Sequence, residues 1–280
     1  MKHIYLNLKR FDIPPEFGGV NRIADPADWG QAIVEQTQEG LKEYSGEAEF
    51  VMFFPEAHLL SAARAKNNAC PLRLGCQSVY REDTAVGGSF GAFTSCRPAA
   101  AAKALACEQV LVGHCEERRD KAGILKEAGV HSPAAVGRIL NAQVRAAQAR
   151  GLSVLYCVGE TQEEKDCWQK TLAQQLEIGL AGTDKEKTVI AYEPVWSIGP
   201  GKKPADRSYI EKTAEFIKKE TGGLDVVYGG GLKKENAAML AEIDVIDGGL
   251  IALTRFEGEI GFYPEEYLEI VRLYLRKQEK

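Results

Sequence analysis

Residues 190–202 read IAYEPVWSIGPGK, and this stretch decides how the whole chain is interpreted. The run from Thr188 to Tyr192 has the character of a buried parallel strand, and it ends at the carboxylate of Glu193. Catalytic residues of α/β barrels and open α/β sheets lie at the carboxyl ends of parallel strands, which makes Glu193 a candidate catalytic residue. Taken alone, the stretch also fits a strand that ends in an acidic residue and continues as an ordinary loop.

A short segment punctuated by glycine follows, in which Gly199 and Gly201 flank Pro200. Glycine adopts backbone conformations that other residues avoid, so this pair can provide hinges. Pro194 removes a backbone donor and fixes the direction in which the chain leaves the strand. The pattern predicts a lid that closes over the end of the strand.

The composition is that of an ordinary globular protein and excludes several classes of function. Of the 280 residues, 45% are hydrophobic and 27% are charged, which suits one large domain or two small ones. The net charge of −5 argues against a nucleic-acid partner, and no apolar run approaches the roughly 20 residues that span a bilayer. The first residues, MKHIYLNLKR, lack the pattern of a signal peptide. We therefore expect a cytoplasmic protein with neither a nucleic-acid nor a membrane partner.

The cysteines point to no metal or disulfide framework. Their number is seven, and no two of them form a C-x-x-C pair. This spacing is typical of reduced thiols, so we expect neither a metal nor a cofactor. Cys115 and Cys157 are interpreted as small packing residues rather than nucleophiles.

Apolar runs and helical segments alternate along the whole chain. The runs that predict strands are residues 2–6, 50–54, 72–79, 109–112, 152–158, 188–192, 224–228 and 245–253. Strands separated by helices indicate parallel βαβ units. Eight such units in a chain of this length favour a closed (β/α)8 barrel over an open sheet. We expect one α/β domain over residues 1–280.

Local signals place several helix starts and two loops. Asp25 before Pro26 predicts the start of the first helix, Ser132 caps a helix from Pro133, and Thr161 with a glutamate three residues later predicts a capping box. Residues 11–21, rich in proline and glycine, are expected to form an insertion near the face that carries the strand ends. The long loop of residues 80–97 has few helix formers, and such loops are usually functional or interfacial.

Four stretches that follow predicted strands together resemble the triose-phosphate isomerase family, and they occur in that family's order. They are Asn7-Leu8-Lys9, Gly113-His114-Cys115-Glu116, the segment AYEPVWSIGPGK at 191–202, and Tyr228-Gly229-Gly230. Weaker similarities are found at residues 91–94, 157–160 and 247–248. The resemblance covers nearly the whole chain and implies a (β/α)8 TIM barrel.

The resemblance implies a role for each polar residue at the strand ends. Glu193 is the base that carries a proton between adjacent carbons of a sugar phosphate, and a neutral His114 polarises the carbonyl group. Lys9 supplies positive charge near the developing oxyanion. Asn7 orients the substrate or its neighbours, and Glu116 holds Lys9.

The same resemblance implies a phosphate site built from backbone amides. Its expected members are Gly199, Gly229, Gly230, Gly231, Ala252 and Leu253. Here the sequence departs from the family pattern, because Gly231 stands where a serine is usual and Ala252-Leu253 where a Gly-Gly pair is usual. Thr254 and Arg255 either supply a hydroxyl and a guanidinium to the phosphate or, for Arg255, lie on the surface.

Because the residues expected to bind phosphate differ from the family pattern, more than one substrate is compatible with the sequence. The main hypothesis is isomerisation of dihydroxyacetone phosphate and glyceraldehyde 3-phosphate. The alternatives are an isomerase of a four-carbon ketose phosphate, such as erythrulose phosphate, and a non-catalytic barrel that binds a phosphate ligand. The resemblance also implies a homodimer formed through the loop from Tyr80 to Arg97, with a possible pair between Glu117 and Arg97 of two subunits.

Overall fold

The computed structural model describes residues 1–199, 202 and 204–275. The strands are β1 (Lys2–Asn7), β2 (Ala48–Phe54), β3 (Leu72–Cys76), β4 (Gln109–Val112), β5 (Ser153–Val158), β6 (Thr188–Tyr192), β7 (Val226–Tyr228) and β8 (Gly248–Ile251). The helices are α1 (Trp29–Lys42), α2 (Glu56–Ala65), α3 (Ala99–Ala104), α4 (Cys115–Glu127), α5 (Pro133–Ala149), α6 (Trp168–Gly179), α7 (Arg207–Thr221), α8 (Ala237–Ala241) and α9 (Pro264–Leu275).

The strands form a closed barrel in chain order. Each strand pairs in parallel with the next, and β8 closes the ring by pairing with β1. The predicted eight-stranded (β/α)8 TIM barrel is therefore confirmed. Because all strands run in one direction, the segments that follow β1, β4, β6 and β7 open onto a single face.

Two layers of apolar side chains hold the barrel together. Successive side chains of a strand point to opposite faces, so Tyr5 lies in the barrel interior while Ile4 and Leu6 pack outward against the helices. The interior cluster contains Tyr5, Val51, Phe53, Leu111, Leu155, Cys157, Ala191, Val227 and Leu250. The barrel is thus a packed core that gives its loops a rigid base.

The predicted start of the first helix is wrong by one turn. Asp25 caps a separate turn, accepting a hydrogen bond from the amide of Ala27 at 2.9 Å, and the amide of Asp28 donates to the carbonyl of Asp25. The helix proper begins at Trp29. The Asp25-Pro26 pair forms a tight turn before the helix. The same two residues are common in turns and at helix starts, so the local sequence does not distinguish the two structures.

The other cap signals have mixed outcomes. Ser132 caps α5 as predicted, since its hydroxyl accepts a hydrogen bond from the amide of Ala135 at 3.1 Å. The capping box at Thr161 is half formed: Glu164 accepts from the Thr161 amide at 2.9 Å, but a 3₁₀ turn follows and α6 begins only at Trp168.

Among the described residues, no helix combines the length and the apolar character that a membrane span requires.

The two predicted loops lie where expected. Residues 80–97 contain no helix or strand. Residues 11–21 follow β1 and contain only a 3₁₀ turn, Pro15–Phe17. Asp12 anchors this segment, because its carboxylate lies 3.1 Å from Nε2 of the buried His58 on α2. The segment is therefore held against the outer layer of the barrel.

Candidate active site

The turn after β1 is shaped by Asn7 and directs Lys9 across the barrel mouth. The buried Oδ1 of Asn7 accepts a hydrogen bond from the amide of Lys9 at 3.0 Å. Lys9 has φ of 41°, a conformation that such a local side-chain bond helps to hold. Its Nζ then donates to Oε1 of Glu116 on α4 at 2.9 Å. The structure therefore brings together Asn7, Lys9 and Glu116.

Gln77, just after β3, supports this turn and was missed by sequence reasoning. Its Nε2 donates to the carbonyl of Lys9 at 2.9 Å and to that of Phe53 at 3.1 Å, and it lies 3.3 Å from Oδ1 of Asn7. The available signal was a polar side chain directly after a buried strand. Gln77 positions the two predicted residues rather than facing a ligand itself.

His114 caps the N-terminus of α4 with its own ring. Nδ1 accepts a hydrogen bond from the amide of Glu116 at 3.3 Å, so the ring proton belongs on Nε2. A second proton on Nδ1 would face this amide and the positive end of the helix. The geometry thus favours a neutral imidazole whose Nε2–H points to the pocket, where it lies 3.1 Å from Oε1 of Glu193.

Glu193 is a buried carboxylate with one oxygen held and one oxygen without a partner. Only 2% of the residue is exposed. Oε2 accepts a hydrogen bond from the amide of Cys115 at 2.9 Å, whereas Oε1 has no hydrogen-bond partner among the described residues. The nearby Nε2 of His114 lies within range of Oε1 but is not aligned as a donor to it.

Burial sets the basicity of this carboxylate. Loss of solvent raises the pKa of Glu193 above its usual range, and the nearby His114, the Cys115 amide and Lys9 offset only part of the increase. Burial likewise raises the pKa of the Cys115 thiol to about 12, so this thiol is protonated near neutral pH. The site therefore holds a carboxylate of increased basicity beside a neutral ring and an ammonium group.

Two glycines leave the space that Glu193 occupies. A Cβ on Gly159 would lie 1.8 Å from the carbonyl oxygen of Glu193, and one on Gly229 would lie 2.8 Å from its Cγ. With contacts this short, a side chain at either position would force the neighbouring atoms to shift. The amide of Gly229 also donates to the carbonyl of Tyr192 at 2.7 Å, so it is engaged within the sheet rather than free for a phosphate.

Of the other glycines predicted to bind phosphate, Gly199 is exposed, whereas Gly230 and Gly231 are half-buried. Gly231 has φ of 98°, and its carbonyl accepts a hydrogen bond from Nδ2 of Asn236 at 2.9 Å. Gly199 has φ of 115°, a backbone conformation that favours glycine and that suits a hinge. Pro200 and Gly201, the rest of the predicted lid, lie outside the described residues.

The segment after β8 gives Arg255 a partner away from the strand ends. Ala252 and Leu253 are half-buried directly after the strand. Thr254 Oγ1 accepts a hydrogen bond from the amide of Tyr263 at 2.9 Å. Arg255 donates through Nε and an Nη to Glu266 of α9 at 2.8 and 2.6 Å, and it lies over the Tyr263 ring. Of the two alternatives for Arg255, the structure supports the surface position.

Glu160 ties the end of β6 to its surroundings. Its buried Oε1 accepts hydrogen bonds from the hydroxyl of Tyr192 at 2.9 Å, Nε1 of Trp196 at 2.7 Å and the hydroxyl of Tyr209 at 3.1 Å. Trp196 lies in the 3₁₀ turn that follows Glu193, and Tyr209 lies on α7. The acceptor thereby holds the segment that leads from Glu193 toward the predicted lid.

The suggested pair between Glu117 and Arg97 of two subunits has no support in the structure. Glu117 is half-buried and accepts hydrogen bonds from Ser78, Lys121, Gln143 and the Gly113 amide of its own chain. Arg97 donates to the carbonyl of Ser78 at 2.6 Å and pairs with Glu56 at 3.3 Å. Both side chains therefore have partners within one chain.

A closed (β/α)8 barrel that gathers ionisable side chains from the ends of three strands at one face is the arrangement of a barrel enzyme. The triosephosphate isomerase family model matches residues 27–271. The triosephosphate isomerase of Bdellovibrio bacteriovorus is 33% identical over 226 residues, covering 78% of this chain and 86% of the relative. That of Prosthecochloris aestuarii is 31% identical over 261 residues, covering 89% and 92%.

A solved structure agrees at the level of the fold. The crystal structure of triosephosphate isomerase from Bartonella henselae superposes with a TM-score of 0.72 at 24% identity, covering 98% of this chain and 99% of that one. The present chain belongs to the triosephosphate isomerase family, and it is an isomerase of that family.

Proposed function

We propose that this protein interconverts dihydroxyacetone phosphate and glyceraldehyde 3-phosphate. The observation that carries this proposal is the free Oε1 of Glu193, a buried carboxylate oxygen 3.1 Å from Nε2 of His114 at the carboxyl end of β6. A base and a proton donor placed side by side can act on adjacent atoms of one small substrate. The relatives reported above carry the name of this activity.

The mechanism follows from the atoms that face the pocket. Oε1 of Glu193 removes a proton from the carbon next to the substrate carbonyl, while Nε2–H of the neutral His114 donates a hydrogen bond to the carbonyl oxygen. The resulting enediolate carries negative charge, which the ammonium group of Lys9 stabilises. Glu193 then returns the proton to the neighbouring carbon, and Nε2 of His114 passes the hydroxyl proton from one enediolate oxygen to the other. Asn7 and Glu116 position Lys9, and Gln77 supports that arrangement.

Residues other than those that act on the carbonyl group bind the phosphate group of the substrate in this proposal. We assign it to Gly199, Gly230 and Gly231 together with Ala252 and Leu253, because backbone N–H groups bind anions without carrying charge themselves. The engaged amide of Gly229 supports a different contribution from this residue. Its lack of a side chain admits the carboxylate of Glu193.

The long loop of residues 80–97 supports a proposed homodimer. Val86 and Phe90 are almost fully exposed, at 109% and 87%, and large apolar side chains in an exposed loop are typical of a contact surface. We place the subunit interface at this loop, from Tyr80 to Arg97. We also propose a cytoplasmic enzyme in which residues 1–280 form one catalytic domain.

Substrate comparison tests the proposal. Purified protein is assayed with glyceraldehyde 3-phosphate and, in parallel, with a four-carbon erythrulose phosphate. The proposal expects kcat/KM for the triose to exceed that for the four-carbon substrate by at least about tenfold. Preferential turnover of the four-carbon compound would assign Gly231, Ala252 and Leu253 to a different substrate. Tight phosphate-ligand binding without any turnover would indicate a non-catalytic barrel.

A further inference from the structure

Three metal-ligating side chains meet at the end of β6, although none of them has metal-site spacing in the sequence. His114, Cys115 and Glu193 each offer one ligand atom within 4.8 Å of the other two. Nε2 of His114, the ring nitrogen that faces Glu193, lies 3.1 Å from Oε1. Ligand atoms around a tetrahedral Zn²⁺ are about 3.3–3.8 Å apart, given bond lengths of about 2.0–2.3 Å. The distance between Nε2 and Oε1 is close to that value.

A second observation points to a cation at this place. Oε1 of Glu193 is buried, has no hydrogen-bond partner among the described residues, and is the oxygen that faces His114. A buried anionic oxygen without a partner is costly, and a bound cation removes that cost. Lys9 does not fill this role, since its ammonium group is bound to Glu116.

We propose that His114, Cys115 and Glu193 form an inhibitory site for a thiophilic divalent cation, with Zn²⁺ as the matching ion. The imidazole, thiolate and carboxylate ligands are those that Zn²⁺ takes in proteins, and water completes its coordination. Inhibition rests on the proposed function, because the ion occupies the free oxygen of Glu193 and the pocket-facing nitrogen of His114. Mg²⁺, which requires oxygen ligands in octahedral geometry, does not match the cluster.

The protons balance on binding. Coordination through Nε2 moves the ring proton of His114 to Nδ1, which gives up the hydrogen bond that it accepts from the Glu116 amide and lies 3.5 Å from Oε2 of Glu116. A carboxylate in this position orients histidine ligands in many metal sites. Cys115 releases its thiol proton to solvent as the S–Zn bond forms, and Glu193 binds as the carboxylate. One proton is released for each ion bound.

Metal titration of chelator-treated protein tests the site, with matched cysteine variants. Zn²⁺ affinity is measured by competition with a chromophoric chelator, and Co²⁺ is added as a spectroscopic probe. We expect one equivalent to bind, the Co²⁺ form to show a thiolate charge-transfer band, and Cys115→Ser to lose that band and at least about tenfold in Zn²⁺ affinity. Cys167→Ser removes an exposed thiol outside the cluster and keeps both properties.

Activity provides the second measurement. Zn²⁺ is expected to inhibit the wild type and Cys167→Ser at equal concentrations, and Cys115→Ser only at concentrations at least about tenfold higher, each rate being compared with that of the same protein in chelator. Mg²⁺ has no effect. Unchanged Zn²⁺ affinity in Cys115→Ser, or a Co²⁺ form without the thiolate band, overturns the proposal. These binding results decide the metal site even if the protein does not isomerise a triose phosphate.

Discussion

Oε2 of Glu193 accepts a 2.9 Å hydrogen bond from the amide of Cys115, the first residue of α4 and 78 positions earlier in the chain. The residue just before Cys115 is His114, whose ring caps the same helix. The proposed base and the proposed proton donor are therefore positioned by one helix terminus. The hydrogen bond from this helix terminus favours the carboxylate form of Glu193.

Gly229→Ala is expected to displace the base. The new Cβ would lie 2.8 Å from Cγ of Glu193 and 2.8 Å from the carbonyl oxygen of Tyr192. We expect kcat to fall by about 10²-fold, the effect of a misplacement near 1 Å, and the free energy of unfolding to fall by about 1–3 kcal/mol. Steady-state kinetics and urea unfolding measure the two effects.

Gly123→Ala is the matched control for that substitution. Gly123 lies within α4, where an added Cβ meets no atom within 4 Å. Replacing an exposed helical glycine by alanine is expected to raise the free energy of unfolding by about 0.5–1 kcal/mol without a change in kcat. Equal kinetics for Gly229→Ala and the wild type would contradict the assigned packing of Glu193.

Lys9→Met tests whether the positive charge of Lys9 serves catalysis rather than the stability of the fold. The Lys9–Glu116 ion pair is partly exposed and contributes less than about 1 kcal/mol to folding. Loss of the ammonium group is expected to lower kcat/KM by about 10²–10³-fold, because an enediolate oxygen loses its positive partner. Lys42→Met, which breaks the comparable Lys42–Glu39 pair on α1, is the control and should retain activity. Comparable losses in the two variants would argue against a role for Lys9 at the oxyanion.

Glu160→Ala tests the acceptor that holds the end of β6. The substitution leaves the Tyr192 hydroxyl, the Trp196 indole N–H and the Tyr209 hydroxyl without their shared acceptor. We expect the free energy of unfolding to fall by about 2–4 kcal/mol, measured by urea denaturation. Glu163→Ala, at an exposed position of the same loop, should leave the free energy of unfolding nearly unchanged. A similarly small effect at Glu160 would mean that the donors find other partners.

His3 is expected to make stability depend on pH at the opposite end of the barrel. Its ring nitrogens lie 2.8 Å from Glu49 and 2.9 Å from Asp225. Burial by itself lowers the pKa of His3, but hydrogen bonds and charge from the two carboxylates outweigh it and raise the pKa above the usual value. The folded state therefore holds the ring proton more tightly than the unfolded state does.

His3 therefore stabilises the folded state more at low pH than at high pH. Its stabilisation is complete below the unfolded pKa of about 6.5 and is lost as pH rises through the higher folded pKa. His3→Gln is expected to cost about 1.5–3 kcal/mol at pH 6 and clearly less at pH 9, as measured by urea unfolding across this range. A difference between the two proteins that does not vary with pH would contradict the assigned charge.

Local sequence pattern was sufficient for the barrel. Continuous apolar runs mark buried strands, and their carboxyl ends placed Lys9, His114 and Glu193 on one face before any contact was known. The sequence pattern was insufficient where one residue type is common in two different local structures. Asp25 caps a turn instead of a helix, and the amide of Gly229 bonds within the sheet instead of remaining free.

The contacts of Gln77 and Arg255 could not be predicted because their partners lie elsewhere in the chain. Gln77 supports the turn of Lys9 from another strand, and Arg255 is held by Glu266 of the last helix. Neither partner is close enough in sequence for a local rule to identify it. The metal-ligating cluster is a similar case, since Cys115 and Glu193 meet only when β4 and β6 enter the same barrel.

The central claim is that Glu193 carries a proton between adjacent carbons of a triose phosphate. The most direct measurement is deuterium incorporation from D₂O into substrate and product during turnover of dihydroxyacetone phosphate, followed by NMR for the wild type and Glu193→Gln. The account predicts incorporation by the wild type and a rate at least about 10³-fold lower for the variant, with the fold intact. Turnover by the variant at the wild-type rate, or a wild type that exchanges no substrate proton, would contradict it.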